Sequence, residues 1–106
     1  MSALEKIDFE LESLRREVVC AEDASSDWSS MGQSLRDDAS VQWDDVVVGL
    51  LPLLIEQRDH GLMTREQMGR FASLEESVAR AWPSLSTLGF ARPEGIPLEA
   101  RQLAAA

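Results

Sequence analysis

Apolar side chains recur at Leu4, Ile7, Leu11, Leu14 and Val18, in alternating steps of four and three. That spacing lays them on one stripe of a helix and predicts a first helical segment over residues 1–22, regular from Ala3 to Glu22. Ser2 followed by Glu5 has the order of a capping box at its start, and Glu12 and Arg16 form an i,i+4 pair beside the stripe. Phe9 falls off the stripe, where a large apolar group needs a cover.

Residues 23–40 change character, with six serines and four aspartates in eighteen positions, and read as a connection. Trp28, Met31 and Leu35 stand at i, i+3 and i+7 within it, enough for a short helix that lays Trp28 across the core. Next comes an uncharged run from Val46 to Ile55. It is half the ~20 residues that a membrane helix needs. It lacks any strand partner too, because nothing else in the chain alternates with period two. A helix over residues 41–60 fits, capped by Ser40 and closed by Gly61. Trp43, Val46, Val47, Leu50, Leu54 and Ile55 cover one broad face, and Pro52 predicts a kink near Val48 to Leu51. Being apolar nearly all round, this helix is expected at the centre of the fold.

Thr64 with Gln67 makes a second capping box, flanked by Met63 and Met68 as a hydrophobic staple. It opens a helix over residues 65–82, with Met68, Phe71, Leu74, Val78 and Trp82 on one face and Pro83 as its stop. The short connection after His60 predicts an antiparallel hairpin with the helix before it. Residues 83–106 form an irregular Pro-containing wrap and tail in which Leu85, Leu88 and Phe90 tuck onto the bundle. The expected fold is therefore all-α: one compact bundle of three main helices, a short fourth helix and the C-terminal segment, in a single domain over residues 1–106.

Composition alters this picture in one respect. The chain carries a net charge of -9, and residues 1–45 hold twelve Asp and Glu against four Lys and Arg. Such a field repels nucleic acid and anionic lipid and speeds encounter with basic proteins. Helices 41–60 and 65–82 have the order of a DNA-reading helix-turn-helix, but residues 61–82 are neutral where a reader carries a basic footprint. The acidic N-terminus lacks the basic start and apolar run of a secretory signal, and the lone Cys20 forms no internal disulfide, so a cytoplasmic location is expected. Cys20 itself reads as a small apolar group beside a helix seam.

Candidate chemistry is sparse. Glu56 and His60 share a helix face, yet two ligands do not make a metal site, and His60 before Gly61 suits a helix C-terminus. The pairs Asp37/Asp38, Asp44/Asp45 and Glu75/Glu76 are adjacent in sequence, so their side chains diverge by about 100° on a helix rather than converge as acid and base. "LLPLL" has the spacing of a docking motif built from the same leucines the core needs. The terminal "LAAA" resembles a degradation tail or a frayed end. No enzyme and no cofactor is expected.

What remains is surface. The expected function is a non-enzymatic protein-binding module whose acidic half docks a basic partner, the logic of small acidic inhibitors and immunity proteins. Its contacts are expected at Glu10, Glu17, Glu22, Asp23, Asp27, Asp37 and Asp38, with Phe9 and Trp28 as apolar anchors. The alternative is a homodimer scaffold paired through the Leu4 to Val18 stripe. A lesser option is a small-ligand pocket lined by Met63, Met68 and Phe71.

Overall fold

The structure is a computed structural model and describes residues 2–98. The first helix, α1, runs Ala3–Asp27. Ser2 Oγ accepts the Glu5 N–H at 3.1 Å, the serine half of the expected box. The helix ends five residues later than its stripe predicts. The stripe itself goes on to Ala21, and Ser26 Oγ donates to the Glu22 carbonyl, so the serines here bond back to the helix instead of leaving it.

A 3-10 turn at Trp28–Ser30 and an extended Met31 reverse the chain. Gly32 then caps α2, Gln33–Trp43. The Ser/Asp stretch is therefore helical at both ends, and the connection shrinks to residues 28–32. Ser40 lies inside α2 and caps nothing. A π turn at Asp44–Val48 leads directly into α3, Gly49–Asp59, so these pieces make one long helix with a wide turn in its middle. Gly49 donates to the Asp44 carbonyl five residues back. Pro52 has no N–H for the Val48 carbonyl and its ring crowds that carbonyl; the wide turn, one turn earlier than the expected kink, absorbs the misfit. The helix closes as predicted at Gly61, whose φ is 71°. Leu62 donates to the Gln57 carbonyl and Gly61 to that of Arg58, the paired bonds of a Schellman end.

The last helix, α4, runs Arg65–Ser86 with both halves of the Thr64/Gln67 capping box formed. Pro83 does not stop it. Leu85 is completely buried two residues further on, and Ser86 Oγ and Thr87 Oγ1 bond the carbonyls of Pro83 and Ser84. Burial of Leu85 outweighs the one donor that Pro83 removes.

The centre of the fold is α1, not the apolar helix of residues 41–60. Asp8 meets Gln67 and Arg70, Leu11 and Arg15 share a groove with Leu74 and Ser77, and Glu22 shares a recess with Ser84, so α1 and α4 run parallel. On the other side of α1, the 28–32 turn returns α2, and with it α3, antiparallel to α1. The α3 helix leaves Pro52 and Leu53 exposed. It meets α4 mainly through Arg58, which bonds Glu75 at 3.4 Å and lies over the Phe71 ring, so the expected hairpin is splayed.

Residues 87–98 wedge into that gap as a strap. Phe90 packs between Trp28 and Trp43, with ring centroids at 5.5 and 5.7 Å. Trp43 Nε1 donates to the Ala91 carbonyl at 2.8 Å. Gly95, with φ of 88°, lies so close to α3 that a Cβ there would sit 2.6 Å from Ile55 Cδ1. Pro93, Ile96 and Leu98 of the strap are buried. Among the described residues the molecule is all-α with no strand, a flattened bundle measuring 42 × 37 × 17 Å. No described helix is long and apolar enough to cross a membrane. The "LAAA" end lies outside the described residues.

Candidate protein-binding surface

The expected contact residues separate into three groups. Glu22, Asp23, Asp27, Asp37 and Asp38 are exposed, as expected. Because α1 and α2 are antiparallel and joined by a five-residue turn, the last turns of α1 and the first turns of α2 lie side by side. Glu22, Asp23, Asp27, Asp37 and Asp38 therefore lie at the end of the molecule where α1 and α2 join, with Glu22 on the α4 side, where it borders a recess with Ser84. Between Glu22 and Asp45 the chain has seven carboxylates and a single base, Arg36. That base is turned inward: Nε and Nη2 donate to the Trp28 carbonyl at 2.9 and 2.6 Å, and the guanidinium lies 5.3 Å from the Trp28 ring centroid. Among the described residues none of the five forms an ion pair; Asp37 accepts from Gln33 Nε2 at 2.7 Å.

Glu10 and Glu17, expected on the same surface, are 6% and 3% exposed and are corrected to buried positions. They sit one and two heptads from Ala3 on the flank of α1 that faces α2 and α3, which a stripe drawn through the five apolar positions leaves outside the core. Burial pushes the Glu17 carboxyl above its ordinary range, opposed by a hydrogen bond with Gln42. Glu10 Oε1 and Glu17 Oε2 have no hydrogen-bond partner among the described residues.

Of the two apolar anchors, Trp28 is half-buried in the aromatic cluster under the strap and is an internal packing residue. Phe9 is 63% exposed among the described residues, but it stands about 27 Å along α1 from Asp27 at 1.5 Å per residue. It does not share the acidic corner. The apolar group nearest the carboxylates of α2 is Leu35, 58% exposed two residues before Asp37, with Val41 also exposed further along the helix. The sequence assigned Leu35 to a core-facing turn; only the observed phase of α2 puts it outside.

The stripe expected to pair two copies of helix one is turned into the bundle. Ile7, Leu11, Leu14 and Val18 are almost fully buried against the chain's own helices, so a partner could reach them only by opening the bundle. Leu4, expected on that stripe, is exposed. The ligand pocket expected at Met63, Met68 and Phe71 is not formed, since Met68 points outward and Phe71 is completely buried. Cys20 is exposed rather than set in a seam. Glu56 and His60 border an open groove of about 450 Å³ with Asp59 and Glu94, and no group of three or more metal-binding side chains occurs among the described residues.

Glu12 anchors the exposed side of α1. It accepts from Arg15 at 2.7 and 3.0 Å and from Arg16 at 3.3 Å, and the Arg15 bonds hold its carboxyl down at about 2. No protein-family model, curated protein or solved structure matches this chain.

Proposed function

We propose that this protein is a non-enzymatic binding module that docks a basic protein partner on its acidic α1–α2 corner. The observation that carries this reading is that Glu22, Asp23, Asp27, Asp37 and Asp38, all exposed, lie at the end where α1 and α2 join, with the one base among them in sequence, Arg36, folded onto Trp28. Exposed charges of one sign gathered at one end of a molecule add their fields and steer an oppositely charged surface, an effect that salt screens over ~8 Å at physiological strength. Leu35 supplies an apolar contact in the same footprint, and a rigid corner between two packed helices has little ordering cost to meet on binding. A partner held in this way is blocked across its basic face, which is how a small acidic inhibitor works.

The test is capture of partners from the source lysate by tagged wild-type protein and by the Asp37→Lys/Asp38→Lys variant, at about 50 and 500 mM salt, which bracket weak and strong screening. A basic protein held by the wild type at low salt, reduced at high salt and lost on charge reversal is the expected result. Retention indifferent to both salt and charge reversal would remove the corner from the interface.

A further inference from the structure

On the opposite side of α1 from the acidic corner's helix, the seam between α1 and α4 opens into a groove of about 300 Å³. Its origin is local. Leu11 and Leu74 close the floor, both buried, but α4 presents serines at 73 and 77, one turn apart, where larger apolar groups would fill the space above them. Ser77 Oγ donates to the Ser73 carbonyl at 3.1 Å and accepts from Arg80 Nη2 at 3.3 Å. Arg15 and Arg70 complete the lining. In a chain of net charge -9, the groove is thus an apolar trough edged by arginines.

Those arginines are positioned but not used up. Arg15 bonds Glu12 through Nε and Nη2, and Arg70 bonds Asp8 through Nη1 at 3.1 Å. Arg15 Nη1 and Arg70 Nε and Nη2 have no bond among the described residues. The carboxylates fix each guanidinium in place, while the remaining N–H groups can pair with an anion in the planar fashion that carboxylates favour. A cationic head group would offer these guanidinium N–H donors nothing that accepts. A neutral apolar one would cover the guanidinium donors without bonding them. A space of this size lies at the small end of ligand pockets, too small for a helix and suited to a short chain with one polar head. A second copy of the chain would bring its own net charge of -9 toward a footprint smaller than a stable interface requires.

We propose that the α1–α4 groove binds a small amphiphilic carboxylate, with its alkyl body on Leu11 and Leu74 and its head group on Arg15 and Arg70. This site is independent of the acidic corner and does not rest on the docking reading.

The probe is sodium octanoate, titrated into the full chain and followed by backbone amide NMR, with octylammonium as the match in body and opposite in charge. Saturable shifts at Ser73, Leu74 and Ser77 with octanoate, absent with octylammonium, are expected. Arg70→Gln should weaken octanoate at least about tenfold, the worth of a charged hydrogen bond. Ser77→Leu, which fills the trough and leaves the formal charge and both lining arginines in place, should abolish the response. Equal shifts with both amphiphiles, or none up to about 10 mM, would overturn the proposal, and since both are read on the wild type they stand even if a variant fails to fold. Shifts at these same residues on raising protein concentration alone would assign the groove to a second copy and overturn it as well.

Discussion

Phe9 and Glu10 are neighbours whose environments are the reverse of their chemistry: the phenyl ring is in water and the carboxylate is in the core. Successive residues on a helix point 100° apart, so the phase of the buried arc decides which of them is inside. A helix packed on one side buries a narrow arc, and the stripe from Ile7 to Val18 defines one. As the middle helix of three, α1 is covered on two flanks, and the arc widens to take in Glu10 and Glu17. The apolar stripe was legible in the sequence for that reason, and the widening was not, because it depends on which helix ends up central. Burial gives Glu17 a testable signature. Its carboxyl is raised in the folded protein, so the proton is held more tightly there than in the unfolded chain; the stabilisation is complete below the ordinary value of 4.5 and is lost as pH rises through the folded value. Glu17→Gln should therefore stabilise the protein by about 1–2 kcal/mol at pH 7, the cost of an unmet buried polar group, and by almost nothing at pH 4. Glu12, held at about 2, acts in the opposite sense as pH falls, but it is common to both proteins and cancels in the difference. Urea unfolding at the two pH values decides the matter: an equal difference at both would mean that Glu17 is not the titrating group.

At the level of elements, the helix ends written in local chemistry were legible and those set by tertiary burial were not. Thr64/Gln67 and Gly61 sit where their side chain or backbone alone dictates a cap or a turn, and both form as the spacing requires. Pro83 carries a local breaking signal that Leu85 overrides by being buried, and the Ser/Asp stretch carries one that Ser26 bypasses by donating back to the Glu22 carbonyl. Gln67 belongs to both classes. Besides accepting the Thr64 N–H, its Nε2 donates to the Leu4 carbonyl at 3.1 Å and to Asp8 Oδ1 at 2.9 Å, so it ties the start of α4 to the start of α1. Thr64→Ala removes only the cap and should cost about 1 kcal/mol. Gln67→Ala removes half the box and both ties from a buried position and should cost about 2–3 kcal/mol. Equal costs in urea titrations would show that the inter-helix bonds contribute nothing.

For the whole molecule, the same chain reversal that builds the fold also builds the charged corner. The excess of acid in the first half was plain in the sequence, but its concentration was hidden, because residues 23–40 read as a loose connection in which carboxylates would stay apart. With α1 and α2 both helical up to a five-residue turn, Glu22, Asp23, Asp27, Asp37 and Asp38 are brought to one end of the molecule, and Arg36, occupied with Trp28, pairs with none of them among the described residues. Like charges held together in this way oppose folding, since the unfolded chain lets them separate. Salt relieves that repulsion as the screening length falls from about 20–30 Å in dilute buffer to below 8 Å. Thermal unfolding should accordingly shift upward by several degrees between about 20 and 300 mM NaCl. Asp37→Asn/Asp38→Asn should raise the midpoint at low salt and shrink the salt response, whereas Glu75→Gln/Glu76→Gln on α4, which removes the same formal charge elsewhere, should leave most of it in place. If both pairs of substitutions reduce the salt response equally, the repulsion belongs to the net charge of the molecule and not to the corner, and the corner loses its standing as a preassembled electrostatic site.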